Sequence, residues 1–587
     1  MKQLQFEYTD DERFEKELRK ISQWQKSNLC SMVLFQIFTA VLDEGKIRRL
    51  CQKIEEALPE ALYAGCSSFG NILEGDFSGP GITLTCTFFE YATTRVALLQ
   101  YPLCAETQAR VAEELRREVA ETPWVKGIEL LTTIRGMSMT TLCEGLSALK
   151  EDIQIFGGGA FCGDINGNDA CVFSKAGGYM ENGIVFVLLG GEDFHLETNF
   201  LTGWKPLGSY LNVTAADGCI LKELNHRSAY ETYYKYLHIQ NDKDFFVHTL
   251  EFPFFYHYHG IDIMRAPVSS NPDGSLVMTS DIAPNVMARI AYGDPWTILD
   301  ETMEEGRRLL KFSPECIFVF SCAGRRTFWG DREVGKETAA YQMVAPTSGF
   351  YTMGEFLRTG KYLNQHNVTQ VLAAMREGEP RRRSETELIQ PAREFRGRVS
   401  IINRMATFVK TATEELEEAN RRLAAAAVTD GLTGLYNRTE IQRRVTEAID
   451  EEKRENLYLI MLDLDFFKRV NDVYGHKAGD DVLKGASGVL KEGAGILGEG
   501  ATVGRWGGEE FMVLLPAEDP AEVRRLAERI RRAISELVFD RVGSVTASLG
   551  VVKVRAGEEA DKACIRVDEA LYDAKGSGRN RVVFHES

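Results

Sequence analysis

Ile402, Met405, Val409, Ala412, Leu416, Ala419, Leu423 and Ala426 recur at alternating spacings of three and four residues. Apolar positions every 3.5 residues return to one face of a slightly underwound helix, which makes them the seam of a coiled coil or a long two-helix bundle. One amphipathic helix lying on its own domain would not need so long and unbroken a rhythm, so the seam predicts a parallel dimer. It also divides the chain. Just upstream, residues 376–387 (REGEPRRRSETE) carry charge with no apolar periodicity, and what stands on either side must build its own core.

At 587 residues, a prior of about 100–200 residues per domain predicts three or four structural units. Residues 1 to about 28 read as a charged amphipathic helix. From Ser31 strands and helices alternate: MVLFQIFTA reads as a buried strand, KIRRLCQKIEEAL as a helix, ALYAGCSSFG as a strand running into a turn, and GITLTCTFFEY as a strand. After Glu151 come further strands, VFVLLGG, FLTGW, YLNVTAADGCIL and CIFVFSCAG, separated by turn clusters such as NGNDA and SSNPDGS. This is an α/β multidomain chain whose upstream part is a sheet-rich α+β layer arrangement.

Charge and composition narrow the partners. A net charge of −17 argues against bulk binding to nucleic acid or anionic lipid. No apolar run approaches the roughly 20 residues of a membrane span, and MKQLQFEYTDDERFEKELRK has no signal-peptide core, so a cytoplasmic location is expected. The twelve cysteines are scattered and never form CxxC, which suits reduced, buried thiols. His257 and His259 lack a third ligand nearby, so no metal is assigned there.

Downstream of the seam, a helix from Thr439 to about Arg454, the strand LYLIMLDLDFF, the helix DDVLKGASGVLKEG, the hairpin ATVGRWGGEEFMVLLP, the helix PAEVRRLAERIRRAISEL, the strand SVTASLGVVKV, the helix VDEALYDAK and the strand RVVF follow in order. A hairpin between helical crossovers indicates a ferredoxin-like α/β sandwich. Gly507 and Gly508 let a ligand approach the main chain, and Glu509 and Glu510 point to opposite faces of an extended segment. On the strand from Leu457 to Phe467, Asp463 and Asp465 share a face. If the hairpin pairs with that strand, Asp463 and a glutamate can hold Mg²⁺ and leave positions for phosphate oxygens, the arrangement phosphoryl transfer needs. A calcium loop at DLDFFKRVNDVYG is excluded, because Phe467 and Lys468 stand where oxygen ligands and glycine are required.

These residues carry a resemblance. DGLTGLYNR from Asp430, LDLDFFKRVNDVYGHKAGD from Leu462, RWGGEEF from Arg505, VTASLG from Val545 and DEALYDAKGSGRNRV from Asp568 resemble a GGDEF domain of the diguanylate cyclase family, over essentially all of residues 429–587. The resemblance implies condensation of two GTP into cyclic di-GMP with release of two pyrophosphates, using Mg²⁺ or Mn²⁺. It implies that Asp463, Glu509 and the Leu464 carbonyl bind metal. Glu509 would also help activate the attacking ribose 3′-hydroxyl, with Glu510 a lesser candidate for metal or base. Asn471 and Asp480 match the guanine readers; a carboxylate suits the two donors of a guanine edge. Amides near Phe466 and Phe467, with Lys468, Lys575 and Arg579, would cradle phosphates beside the Gly507-Gly508 turn. The RxxD product-inhibition site of many relatives is absent: Gly498, Glu499, Gly500 and Ala501 stand in its place. No motif of a cyclic di-GMP phosphodiesterase occurs. The alternative reading is a catalytically silent module that binds GTP or cyclic di-GMP.

The upstream region, from about Ser31 to Gly378, is similar to the FIST sensory module, on AGCSSFG, FGGGAFCGD, GWKPLGSYLNVTAADG, FSCAGRR and SGFYTMGEF. That similarity implies a small ligand, amino-acid-like in class. Cys66 and Ser67 could serve an anion and Arg325 a carboxylate, although turns, core thiols and an interior salt bridge explain the same residues. Cys322 beside Arg325 is a secondary candidate for a thiol of lowered pKa. The expected domains are an N-terminal helix (1–30), FIST N-like (31–200) and FIST C-like (201–378) halves, a linker with the coiled coil (379–427), and the cyclase domain (428–587).

Overall fold

The computed structural model describes residues 1–27, 30–161, 169–258, 260–381, 405, 409–416, 418–421, 427–450, 456–496 and 501–585, the side chains of 494–496 excepted. The chain forms two compact units, Met1–Thr411 and Ala412–Ser587.

The upstream unit is built on four sheets. Parallel pairing of Met32–Thr39 with Leu62–Ser67 and antiparallel pairing of Met32–Thr39 with Ile82–Phe89 make the centre of the first. The two halves expected from the sequence are laced together. Asn71–Leu73 pairs with Thr347–Thr352, Glu355–Thr359 pairs with Gln154–Ala160, and Phe194–Leu201 pairs with Gln370–Glu377. Apolar side chains from both halves, including Phe38, Phe156, Phe320 and Phe350, share one core. A separate eight-stranded sheet spans residues 204–293.

The expectation of one helix over residues 1–28 is corrected. Lys2–Tyr8 is a strand antiparallel to Ile82–Phe89, and the helix is Asp11–Ser27. Leu4, Phe6 and Tyr8 alternate with Gln3, Gln5 and Glu7, a period of two that belongs to a strand. Asp10 then caps the helix by accepting from the Arg13 amide, and Phe14, Leu18 and Ile21 form the buried stripe. FLTGW also splits: Phe194–Leu201 ends before Gly203, and Trp204 opens the next strand.

The downstream unit holds one five-stranded sheet in the order Thr502–Gly507, Glu510–Pro516, Leu457–Leu464, Ala547–Lys553, Val582–His585. The central strand is antiparallel to both neighbours, and only the last pair is parallel. Helices Arg438–Asp450, His476–Ile496, Pro520–Glu536 and Ala560–Gly576 cover it. The central strand ends at Leu464, earlier than expected: Phe466 takes a left-handed φ of 59° and turns the chain into the helix Phe467–Tyr474. Of the expected seam, Met405, Val409, Ala412, Leu416 and Ala419 are helical, and Met405, Val409 and Leu416 are exposed. Ile402, Leu423 and Ala426 lie outside the described residues.

Candidate functional site

The central strand carries Asp463 to the end of the sheet, where Glu510 stands directly opposite on one neighbour and Ser548 on the other. Gly508 and Glu509 form the two-residue turn of the hairpin, Gly508 with φ of 23°. The Glu509 carbonyl accepts from the Leu464 amide at 3.3 Å, which stitches the turn to the strand. Directly opposite residues in an antiparallel pair share a face. Glu510 therefore shares the Asp463 face, while Glu509 reaches it from the turn.

The charge there is unbalanced. Burial pushes the Asp463 carboxyl above its ordinary range; the Lys575 ammonium pulls against this, and Glu509 and Asp465 add to it. Burial also raises Glu510, with Asp463 the next contributor and Asp568 and Glu509 adding to it against Lys575. Lys575, in the last turn of Ala560–Gly576, places Nζ 2.7 Å from Asp463 Oδ2. An ammonium drawn to an 8% exposed aspartate marks a place where positive charge is stabilised. Among the described residues no three His, Cys, Asp or Glu side chains converge enough to cage an ion by themselves. One or two carboxylates with phosphate oxygens and water completing the shell is how Mg²⁺ binds, and this donor set fits it.

Arg505 and Asp430 hold the turn in place. Arg505 donates from Nε and Nη2 to the Gly508 carbonyl at 3.0 and 2.7 Å, and from Nη1 to both oxygens of Asp430 at 3.2 Å. Asp430 in turn accepts from the Thr433 amide and hydroxyl, which explains the DGLTG stretch as a brace for the hairpin. Asp465, buried beyond the strand end, accepts from Thr546 Oγ1 and Ser548 Oγ at 2.7 Å and from the Asn580 amide at 3.0 Å. It faces these partners rather than joining Asp463. The roles of Arg505, Asp430 and Asp465 escaped the sequence reading; the one signal was an arginine three residues before the turn glycine.

The remaining expected contacts surround this floor. Phe466 is 65% exposed, with the Arg579 guanidinium 4.7 Å from its ring centre. Phe467 and Lys468 lie in the first helical turn, where amides lack acceptors within the helix; the Lys468 side chain is exposed. Asn471, on that helix, reaches Gly479 on the next, and a Cβ added to Gly479 would lie 2.0 Å from Asn471 Oδ1. Asp480 follows Gly479 and is half-buried, as is Asn471. Trp506 is half-buried under the Arg438 guanidinium. Gly498, Glu499 and Gly500 lie outside the described residues.

In the upstream unit, Cys66 and Ser67 are fully buried, and burial pushes the Cys66 thiol well up. Arg325 is fully buried too. It ion-pairs with Glu337, donates to the Thr202 and Val368 carbonyls, and stacks on Trp204. The neighbouring Arg326, not Arg325, donates to Phe69 at the end of AGCSSFG. A lowered thiol pKa at Cys322 is corrected: burial raises it, and Arg325 offsets this only slightly. Most of the described cysteines are buried; Cys104 is exposed, and Cys162 is outside the described residues. His257 contacts Asp262 at 3.1 Å, and His259 is not among the described residues.

The sheet thus presents two opposed acids beside a glycine turn, with a lysine on one of them and an arginine over the neighbouring Phe466 ring. Residues 427–581 match the family model "Diguanylate cyclase, GGDEF domain", 33–227 match "FIST N domain" and 229–358 match "FIST C domain". The chain thus belongs, domain by domain, with FIST N, FIST C and GGDEF proteins. Diguanylate cyclase DgcP of Pseudomonas aeruginosa is 38% identical over 31% of this chain and 27% of its own length. Diguanylate cyclase VdcA of Vibrio cholerae is 35% identical over 33% of this chain and 58% of its own. The coiled coil and GGDEF domain of DgcB from Caulobacter crescentus, solved with c-di-GMP, is 31% identical over 32% of this chain and all of that one, with a TM-score of 0.29. The chain spans between about a quarter and three-fifths of these two curated relatives. No helix among the described residues is long and apolar enough to cross a membrane.

Proposed function

We propose that the chain is a diguanylate cyclase, joining two GTP into cyclic di-GMP and two pyrophosphates, under control of its FIST module. The observation that carries this reading is the opposition of Asp463 and Glu510 beside Glu509, with Lys575 on the acid pair. Asn471 and Asp480 bind the guanine edge. Amides of Phe467 and Lys468, with Arg579 and Lys468 side chains, hold phosphate oxygens, and Lys575, paired with Asp463 here, would pair with the triphosphate where a divalent ion on Asp463 supplied the positive charge. Bound by Asp463, Glu509 and the Leu464 carbonyl, Mg²⁺ or Mn²⁺ would neutralise the triphosphate and favour loss of the 3′-hydroxyl proton. Glu509 accepts that proton, with Glu510 able to share it; the 3′-oxygen attacks the α-phosphorus of the other GTP, and pyrophosphate leaves.

One domain holds one GTP, so two must face each other. Exposed Met405, Val409 and Leu416 on helical backbone suit a homodimer seam over residues 402–426, through which the FIST module would sense a small molecule and adjust the pairing. Availability of GTP and free thiols suit the cytoplasm. Full-length protein incubated with GTP and Mg²⁺ is expected to give cyclic di-GMP, and Glu509→Ala protein is expected to give none. GTP binding without product from the wild type or from a segment beginning near Arg393 would refute catalysis.

A further inference from the structure

A cavity of about 350 Å³ opens in the upstream unit between the helix Thr140–Ser147 and the strands Phe254–Tyr258, Ile261–Arg265 and Tyr362–His366. Its volume falls within the roughly 300–1,000 Å³ of small-molecule sites. Tyr256 and Tyr362 contribute aromatic wall, and Arg265 lies at its side. The cavity contains none of Cys66, Ser67 and Arg325.

Arg265 is only 6% exposed, and its hydrogen bonds run to neutral oxygens. Nε donates to the Asp281 main-chain carbonyl at 2.8 Å, and Nη1 to the Met264 carbonyl at 2.9 Å and Asn367 Oδ1 at 3.3 Å. Among the described residues Nη2 makes no hydrogen bond and no carboxylate pairs with the guanidinium within 4 Å. The Asp281 carboxylate, which accepts from Ser138, Thr140 and Cys219, feels the Arg265 charge without forming a direct ion pair with it. A second donor also lacks an acceptor: among the described residues Asn364 Nδ2 is buried without a partner. Glu144, the other acid of the lining, is exposed and therefore hydrated at the mouth.

A guanidinium removed from water gains from a directly bonded anionic partner, and its planar fork suits a carboxylate. Tyrosine walls suit an apolar body behind it. We propose that this cavity is the ligand site of the FIST module and takes a small organic carboxylate with an aromatic or aliphatic body, held by Arg265 and Asn364. The proposal rests on the small-molecule part of the functional reading and is independent of catalysis.

The test is calorimetric titration of full-length protein with benzoate, phenylacetate and butyrate, beside benzamide and benzylamine. Saturable binding of at least one carboxylate is expected, with benzamide at least about tenfold weaker than benzoate. Asn364→Asp, which places a like charge in the cavity, and Arg265→Gln are each expected to weaken carboxylate binding at least about tenfold, with thermal unfolding used to confirm that Asn364→Asp protein is folded. Equal binding of benzoate and benzamide, or carboxylate binding indifferent to Asn364→Asp in folded protein, overturns the assignment. Benzylamine binding in place of the carboxylates overturns it while leaving small-molecule sensing standing; failure of every probe overturns both. None of these readouts depends on GTP turnover.

Discussion

Asp463 and Glu510 stand opposite one another on adjacent antiparallel strands, and burial raises the pKa of both. Protons and a divalent cation therefore compete for the pair above the usual carboxylate range. Turnover is expected to fall as pH drops through mildly acidic values, and extra Mg²⁺ is expected to move that fall to lower pH. Asp463→Asn is expected to lower product formation by about a hundredfold or more, whatever the pH. A wild-type profile unmoved by Mg²⁺ would contradict the competition.

Arg505 bonds the turn through the Gly508 carbonyl and braces it against Asp430. Arg505→Ala leaves both acceptors without the guanidinium, at a cost of about 1–3 kcal/mol. Denaturant unfolding of the downstream unit should show that loss, and turnover should fall further than stability alone explains, because Glu509 sits in the released turn.

Gly479 makes room for the Asn471 side chain. In Gly479→Ala the carboxamide must swing away from its place against Gly479, an inexpensive shift for the fold. The expected result is a KM for GTP raised about tenfold, or ~1.4 kcal/mol, with the melting temperature nearly unchanged. An unchanged KM would remove Asn471 from guanine recognition.

In the upstream unit, burial raises Glu355 to about 8 and Glu129 to about 7, and lowers His366 to about 3. The raised acids favour the fold fully below about pH 4.5, and that contribution is lost as pH climbs through 7 and 8. His366 acts in the opposite sense: its neutral burial costs stability as pH falls below about 6.5. Glu355→Gln is accordingly expected to raise the melting temperature relative to wild type more at pH 8.5 than at pH 5, by differential scanning calorimetry.

Leu416 is exposed in mid-seam. Leu416→Asp is expected to shift the protein from dimer to monomer in analytical ultracentrifugation and to abolish turnover while GTP binding to each domain persists. A monomeric wild type with full activity would sink the dimer model.

The downstream sheet was legible because its signals are local: alternating hydrophobicity, turn glycines and capped helices fall in the order in which the chain uses them. The opposition of Asp463 to a hairpin glutamate needed only strand pairing to be foreseen. What sequence could not show was which glutamate, since register depends on where the turn sits: Gly508 and Glu509 occupy it, leaving Glu510 in the ladder. Arg505 and Asp430 lie 75 residues apart, and no local pattern links them. At the N-terminus, the acidic run of Asp10, Asp11 and Glu12 favoured a helix and obscured the short alternation of Lys2–Tyr8, whose stability comes from the distant edge of Ile82–Phe89. Arg265 gave no signal at all, because the neutral oxygens around it come from segments that meet only in the folded unit.

Strand pairing between the halves of the upstream unit decides where the chain can be divided. A recombination break near residue 228 would leave Asn71–Leu73 and Phe194–Leu201 on one fragment and their partners Thr347–Thr352 and Gln370–Glu377 on the other. Each fragment would emerge with open, aggregation-prone edges. The two halves are therefore expected to fold only when made together, and a cut that leaves each unit whole has to fall downstream, after the last strand Gln370–Glu377.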